Sequence, residues 1–410
     1  MKNFFLFVCS IFMITSCSSC HDEEEDTQPT RRTVIVYMSA ENDLSSFANQ
    51  NINSMARGRK NVPDNVNLVV FVDRASSQQK PFVARITKDD KNPVDTIFKF
   101  TEDFIASDVN NFIYVLGRTI TYCPAESYGL VLWGHANGWV IEKDSIATTT
   151  NRAYGRDSGN NTASNSSGIW MNIPTMRQGL EQLGVHWKFI FSDCCNMQNI
   201  ETAYELRKLT DYLIASPAEI TGVGAPYETM VKDFFMENDR EMAIQMCRDY
   251  YEQLDYVKGH MPISAIDTRY LDALTDATRE VLPDIVYYLN TTVNPTEDVV
   301  YYYAYDRTRN NEKTMYDMKG MIHKALQNEA EKYNKWLAYF DQAVFHQEIS
   351  YKWHANTIYF EDFTIEPDYF GCISMFFPLD KYRSAVSHPY NQDIKKMSWY
   401  YAVGWQAFDW

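Results

Sequence analysis

Two side chains able to perform nucleophilic chemistry close apolar runs of the sequence. His135 ends the run YGLVLWGH, which begins at Tyr128, and Cys195 ends the run WKFIFSDCC, which begins at Trp187. Such runs predict buried strands, and the carboxyl ends of parallel strands meet at one edge of a sheet. A histidine beside a cysteine can take up the thiol proton and create a thiolate nucleophile. Although a lone histidine or cysteine is more commonly structural, the pair predicts a catalytic cysteine with a histidine base.

Cys194 and Cys195 are adjacent, and only one of them can face the predicted site. Side chains alternate between the two faces of a strand, so Asp193 and Cys195 would share a face that Cys194 does not. A disulfide between sequence neighbours would be strained. We therefore expect Cys195 to be the nucleophile and Cys194 to pack in the core.

Alternating strand and helix patterns predict the scaffold that positions these residues. Helices separate most of the predicted strands, and Asp43 is a candidate cap for the first helix. This alternation indicates an α/β fold with a mostly parallel sheet and helices on both faces. The predicted strands lie at 33–37, 67–73, 128–135, 187–195, 211–216 and 263–267, with a hairpin at 82–100 and helices at 107–121, 172–183, 199–209, 228–235, 239–254 and 270–288.

The pattern changes after residue 295, which predicts two parts to the mature chain. Residues 32–295 carry the alternating strands and helices, and we expect them to form the main domain. Residues 296–410 contain amphipathic helices near 313–345 and an aromatic tail. We expect this segment to form a C-terminal subdomain packed on the sheet.

The N-terminus is typical of a bacterial lipoprotein leader. Lys2 precedes an apolar run at Phe4–Ile14 that is too short to span a bilayer comfortably. The following Ile-Thr-Ser-Cys resembles a lipobox, which predicts a signal peptide over residues 1–17 and acylation of Cys17. Cys20 is a weaker alternative site, and an ordinary signal peptide that happens to contain cysteines is the alternative reading.

An acidic segment after the leader predicts a solvated tether over residues 18–31. His21–Asp26 reads HDEEED, and charges of one sign repel and stay hydrated. The run also resembles the surface-export signal of Bacteroidetes lipoproteins, so we expect a lipid-anchored outer-membrane protein at the cell surface. The formal net charge of −16 argues against nucleic acid as a partner, because a phosphate backbone requires a basic surface.

Three segments carry a resemblance to the clostripain family of cysteine peptidases. They are TVIVYMSAENDL at Thr33–Leu44, YGLVLWGHANGW at Tyr128–Trp139 and SDCCNMQNIETAYEL at Ser192–Leu206. The resemblance implies a caspase-like fold, peptide or protein substrates, and His135 and Cys195 as the catalytic pair. It also implies an oxyanion hole built from the backbone N–H groups of Ala136 and Cys195. No third member of a triad is implied, and calcium stays open as a cofactor although no EF-hand spacing occurs.

Departures from the family pattern bear on activity and specificity. Ala136 stands where the family has glycine, and Asn196 stands where leucine is usual. Asp193 matches an acidic residue of the pocket for a basic substrate side chain, with a structural carboxylate as the alternative reading. Val223 stands where a second acid is expected, and a valine cannot pair with a guanidinium. The resemblance therefore implies cleavage after arginine or lysine with one pocket acid missing.

The segment between the histidine and the nucleophile is rich in Thr, Asn, Ser and Gly and predicts an exposed loop over 143–168. Members of the family are often cut there during activation. Lys143, Arg152 and Arg156 are the candidate positions for self-cleavage, and an uncut surface loop is the alternative.

Two other functions fit the same sequence. Ala136 and the missing second acid would suit a catalytically weak or inactive lipoprotein that binds a partner through a peptidase fold. Tyr301, Tyr302 and Tyr303 would suit a surface adhesin that binds glycans, although such tyrosines more commonly pack in a core.

Overall fold

A nine-stranded sheet forms the centre of the part of the chain that the structure describes. The structure is a computed structural model, and it describes residues 29–141, 153–157, 159, 168–253, 261–304, 313–355, 360–382 and 389–408. The strands are β1 (Arg32–Ala40), β2 (Val66–Arg74), β3 (Phe82–Ile86), β4 (Val94–Lys99), β5 (Ser127–Trp133), β6 (Tyr154–Asp157), β7 (Ile169–Met171), β8 (Trp187–Asp193), β9 (Thr210–Ala215), β10 (Ile263–Asp267), β11 (Tyr301–Ala304), β12 (Lys313–Asp317), β13 (Val344–Glu348), β14 (Lys352–His354), β15 (Phe360–Asp362) and β16 (Ser374–Met375).

The middle of the sheet is parallel and its margins are antiparallel. The strand order is β13-β10-β9-β8-β5-β1-β2-β3-β4, and the five strands from β9 to β2 run parallel to their neighbours. Strand β1 is buried along its whole length, as expected for a β-branched run in a sheet covered on both faces. The predicted α/β class with a large, mostly parallel sheet is confirmed, and the predicted hairpin is β3–β4.

Helices connect most of these strands. Asp108 begins the helix after β4 by accepting hydrogen bonds from the N–H groups of Asn110 and Asn111 at 2.9 and 3.2 Å. Asn199 caps the helix that follows the nucleophile segment in the same way. The helices are α1 (Ser45–Arg59), α2 (Val109–Tyr122), α3 (Ile173–Gln182), α4 (Ile200–Leu206), α5 (Tyr227–Met230), α6 (Asp239–Gln253), α7 (Leu271–Thr291), α8 (Met318–Ala325), α9 (Ala330–Ala343), α10 (Tyr390–Asp393) and α11 (Ser398–Val403).

The C-terminal segment is tied to the main sheet by a strand. Strand β13 pairs antiparallel with β10 and forms one margin of the sheet. The helical pattern predicted from residue 313 begins instead with strand β12, and α8 starts at Met318. Tyr301, Tyr302 and Tyr303 are buried, so they pack in the protein rather than form an exposed glycan-binding face.

Two local predictions were wrong, one for a helix cap and one for a loop. The side chain of Asn42, not that of Asp43, accepts the hydrogen bond from Leu44 N–H ahead of α1, at 2.9 Å. The segment 143–168, predicted as an exposed loop, contains β6, whose residues are buried. Polar and glycine-rich composition concealed this strand, which is held by tertiary contacts rather than by its own apolar pattern.

The leader and most of the tether, including Cys17 and Cys20, lie outside the described residues. Within the described part, no helix is both long enough and apolar enough to cross a membrane.

Candidate active site

His135 and Cys195 follow neighbouring strands at the same register. Trp133, the last residue of β5, lies opposite Asp193, the last residue of β8. His135 and Cys195 each lie two residues beyond that pair, and both line a cavity of about 320 Å³. Both strands end two residues earlier than predicted. The structure nevertheless brings together the residues that sequence reasoning singled out. Ala136 and Asp193 line the same cavity as His135 and Cys195.

The two adjacent cysteines have different surroundings. Cys194 is fully buried, its Sγ donates to Leu132 O at 3.2 Å, and burial raises the pKa of its thiol well above the ordinary value. Cys195 is partly exposed to the cavity and its Sγ accepts the N–H of Ile220 at 3.4 Å. A backbone donor of this kind stabilises a thiolate. Cys195 is therefore the cysteine whose surroundings suit a nucleophile.

Asn196 shapes the turn that presents Cys195. Its φ is 56°, in the left-handed region that asparagine tolerates better than a branched or bulky residue. Its Nδ2 donates to Asn137 Oδ1 at 3.1 Å, and its carbonyl accepts from Asn199 Nδ2 at 2.8 Å. Asn196, which stands where leucine is usual, thus links the turn at Cys195 to the segment after His135 through a side-chain hydrogen bond.

Strand β6 pairs with the segment that contains His135 through backbone hydrogen bonds. Gly155 N–H donates to His135 O and Asn137 N–H donates to Ala153 O, both at 2.8 Å. Ala136 lies between these bonds, opposite Tyr154. In such a pair the backbone N–H points away from the partner strand, so the N–H of Ala136 is directed away from β6.

Asp43 holds the imidazole of His135, a role that the sequence reasoning missed. Asp43 Oδ1 lies 2.7 Å from His135 Nε2 and 3.0 Å from Arg156 Nη2. With Nε2 donating to Asp43, Nδ1 is the nitrogen left for proton transfer. The available signal was the position of Asp43, three residues past the end of β1 at the same edge of the sheet as the predicted site.

Arg156, a candidate for self-cleavage, is only 5% exposed and lies in β6. The expectation that it stands in an exposed loop is therefore wrong. Its guanidinium is paired with Asp43 inside the protein. Lys143 and Arg152, the other two candidates, lie outside the described residues.

Asp193 supplies a buried carboxylate to the cavity. Its Oδ2 accepts the N–H of Ala225 at 2.9 Å and the hydroxyl of Tyr227 at 2.8 Å. Its Oδ1 is buried and accepts no hydrogen bond from any donor among the described residues. Burial raises the pKa of Asp193 to about 6, although the two donors act in the opposite direction.

A second carboxylate lines the cavity at Glu219, which sequence reasoning also missed. Val223, where the second acid was expected, contributes its carbonyl to a 2.9 Å bond from Asn51 Nδ2. Gly224, with φ +71°, lies next to it, and a Cβ there would come within 2.8 Å of Asp193 Oδ2. The cavity therefore holds two acids, although the second lies at a different position from the one expected.

Comparisons with known proteins agree with this geometry. A sequence model described as the Clostripain family matches residues 36–410, and a search of curated proteins found no match. The chain is similar to the structure of a secreted C11 cysteine protease from Bacteroides thetaiotaomicron in complex with an irreversible peptide inhibitor, at 29% identity and a TM-score of 0.75, covering 92% of this chain and 99% of that chain. It shares its fold with an inactive zymogen C11 protease from Parabacteroides distasonis, at 21% identity and a TM-score of 0.72, with the same coverage. This chain therefore belongs to the clostripain family and is a cysteine peptidase.

Proposed function

We propose that the chain is an endopeptidase in which Cys195 is the nucleophile and His135 is the acid and base. The observation that carries this assignment is the shared register of the two residues past β5 and β8, which directs both into one cavity. The Ile220 N–H near Cys195 Sγ and the Asp43 carboxylate on His135 support a thiolate beside an oriented imidazole.

Acylation and deacylation divide the work between these two side chains. The Cys195 thiolate attacks the peptide carbonyl, an S–C bond forms, and the C–N bond breaks as protonated His135 donates its proton to the leaving amine. His135 then takes a proton from water, which attacks the thioester. The S–C bond breaks and the carboxylic acid product leaves. The Cys195 thiolate and the protonated His135 are thereby restored. Asp43 acts as a positioning residue that keeps the imidazole turned toward the cavity.

The oxyanion of each tetrahedral intermediate would be bound by the backbone N–H groups of Ala136 and Cys195. The direction of the Ala136 N–H away from β6 supports this. A methyl group in place of the usual glycine hydrogen does not remove a donor, since the backbone N–H is unchanged.

A preference for lysine or arginine before the cut is supported by the acids of the cavity. Asp193 is buried with one oxygen that accepts no bond from the described donors, and Glu219 lines the same space. A guanidinium or ammonium entering the cavity would bring a positive charge near both carboxylates and a donor for Asp193 Oδ1.

Self-cleavage between β5 and β8 follows from such a preference. Lys143 and Arg152 are the proposed positions. The burial of Arg156 and its bond to Asp43 favour those two, because a peptidase needs an extended, accessible segment.

Anchoring through a lipid on Cys17 places the enzyme at the outer membrane, facing the cell surface. Incorporation of labelled palmitate in the producing cell tests this. Label that survives Cys17→Ala but not Cys20→Ala would move the anchor to the weaker site.

The test of the catalytic assignment is turnover of a peptide library varied at the residue before the scissile bond, under reducing conditions. We expect hydrolysis after lysine or arginine, its loss in Cys195→Ala, and its retention in Cys194→Ala. Glycan or peptide binding without turnover in the wild type would instead support a non-catalytic binding lipoprotein.

A further inference from the structure

A pair of side-chain amides lies on the cavity wall beside the proposed catalytic centre. Asn137 and Asn196 both line the cavity that contains His135 and Cys195, and both are almost fully buried. Asn196 Nδ2 donates a hydrogen bond to Asn137 Oδ1 at 3.1 Å. Because Oδ1 is engaged in this bond, Nδ2 is the half of the Asn137 amide that the pair does not use. The pair therefore offers the cavity a neutral hydrogen-bond donor.

The backbone around Asn137 places its side chain on the same face as that of His135. The segment pairs with β6 like a strand, since Gly155 N–H donates to His135 O and Asn137 N–H donates to Ala153 O, both at 2.8 Å. Side chains two residues apart in such a segment share a face. Asn137 therefore follows His135 on the face that borders the cavity, about 6.7 Å further along the chain.

Asn196 is held firmly enough to orient that amide. Its N–H donates to Ala218 O at 2.9 Å, and its carbonyl oxygen accepts from Asn199 Nδ2 at 2.8 Å. These bonds fix the backbone from which the Asn196 side chain reaches Asn137. One hydrogen bond thus determines which end of the Asn137 amide meets the cavity, and it does so before a substrate arrives.

The general acid indicates which part of a substrate lies beside these amides. In the proposed reaction His135 protonates the leaving amine, so the nitrogen of the scissile bond must come within hydrogen-bonding reach of the imidazole. Asp193, which we assign to the residue before the cut, precedes Cys195 in the chain, whereas Asn196 follows it. Asn137 and Asn196 are therefore placed to meet the part of the substrate that follows the cut. This role rests on the proposed peptidase function.

We propose that Asn137 Nδ2 donates a hydrogen bond to a main-chain carbonyl oxygen of the substrate within the first two residues after the cut. Asn196 is the positioning residue that turns the amide toward that oxygen. The limit of two residues follows from the spacing of Asn137 and His135, because two residues of an extended peptide also span about 6.7 Å. The bond is lost when the leaving peptide departs, so it acts on acylation alone. It recognises the main chain and therefore favours no particular side chain after the cut.

The test compares two substrates that share one acyl part with lysine or arginine before the cut. One releases a chromogenic aniline, which has no carbonyl group after the cut, and the other releases glycylglycinamide. The ratio of the two kcat/KM values cancels effects on the catalytic pair, because both substrates react there. In Asn137→Ala the peptide-to-anilide ratio should fall about tenfold, as expected for the loss of one hydrogen bond. Turnover of the anilide by the wild type tests the peptidase function itself, so a failure there is distinguishable from an unchanged ratio.

Two further variants separate a donor to the substrate from a merely structural amide. Asn137→Asp replaces the donor with an acceptor of the same size, so the ratio should fall at least as far as in Asn137→Ala. Asn196→Asp removes the donor that orients Asn137 and offers an acceptor that draws Nδ2 away from the substrate, so the ratio should fall to a similar extent. The double variant Asn137→Ala with Asn196→Asp should show no further loss, because both changes remove the same bond.

Asn391→Asp is the matched control. Asn391 is also buried, its Nδ2 donates to Leu379 O at 3.2 Å, and its Oδ1, like that of Asn196, accepts no hydrogen bond from the described residues. Asn391 lies outside the cavity, so this variant should keep the wild-type ratio. A wild-type ratio in Asn137→Ala, which includes equal losses on both substrates, would overturn the proposal. A ratio retained in Asn137→Asp would also overturn it, because the group facing the substrate would then be an acceptor.

Discussion

At the scale of single residues, burial and neighbouring donors give identical side-chain types different chemistry. Cys194 and Cys195 are adjacent, yet one is enclosed in the core and the other receives an N–H at its sulfur on the wall of a cavity. Asp193 is buried with two donors, whereas Asp73 is buried with none among the described residues. The same carboxyl group is thus anchored by donors at one position and lacks a described donor at the other.

The raised pKa of Asp193 predicts a pH-dependent preference for basic substrates. The folded-state pKa, about 6, lies above the ordinary value for aspartate, so the carboxylate that attracts lysine or arginine predominates only above pH about 6. As the pH falls through 6, KM for an arginine substrate should rise more than KM for a neutral one. The ratio of the two KM values cancels any effect of pH on Cys195 and His135, because both substrates react at the same catalytic pair.

Asp193→Asn checks the origin of that effect. We expect kcat/KM for arginine substrates to fall by about 10²-fold and the substrate ratio to lose its dependence on pH near 6. Glu219→Gln, the second acid of the cavity, should lower the same kcat/KM while leaving the Asp193 titration in place. An unchanged preference in both variants would remove these acids from substrate recognition.

At the scale of elements, strand ends and tight turns set the geometry of the site. Parallel pairing of β5 with β8 fixes the register, and the segments beyond them are joined by the hydrogen bond from Asn196 Nδ2 to Asn137 Oδ1. Gly138 has a φ of +59°, and a Cβ there would lie 2.5 Å from Asn196 O and closer still to Asn199 Nδ2. The nucleophile turn and the histidine segment therefore approach each other only because this residue is glycine.

Gly138→Ala should accordingly damage activity more than folding. The added methyl group must push the two segments apart, and displacement of a catalytic group by about 1 Å can cost 10²-fold in rate. Gly184→Ala is the matched control, since Gly184 has a similar φ of +64° but no atom of a neighbouring described residue lies within 4 Å of the position that a Cβ would take. Both variants should lower the melting temperature, while only Gly138→Ala should lower kcat. Equal kcat values would contradict this account of the packing.

Sequence patterns predicted the elements whose signal is local. The apolar runs located β1, β2, β5 and β8, and the strand-end rule brought His135 and Cys195 together. Contacts between distant segments were not accessible in this way: Asp43 meets His135 across 92 positions, and β6 is stabilised by its partners rather than by its composition.

At the scale of the whole molecule, the order of strands determines what self-cleavage would do. The proposed cut lies between β5 and β8, which are neighbours in the middle of the sheet. Both sides of the cut therefore contribute strands to one hydrophobic core. Two fragments would stay associated through backbone hydrogen bonds and buried apolar surface.

Active enzyme should give two bands on a denaturing gel and one species by size-exclusion chromatography. Cys195→Ala should stay intact, and N-terminal sequencing of the second fragment should place the cut after Lys143 or Arg152. Cleavage after Arg156 would require β6 to open first. A fully active chain that remains uncut would show that activity does not need this step.

The most direct test of the whole account is the site of covalent attack. A peptide with lysine or arginine before an electrophilic ketone should add once per chain, and peptide mapping should find the adduct on Cys195. His135→Ala should slow labelling strongly, and Cys194→Ala should label like the wild type. An adduct on Cys194, or no adduct on the folded protein, would contradict the assignment of His135 and Cys195 as the catalytic pair.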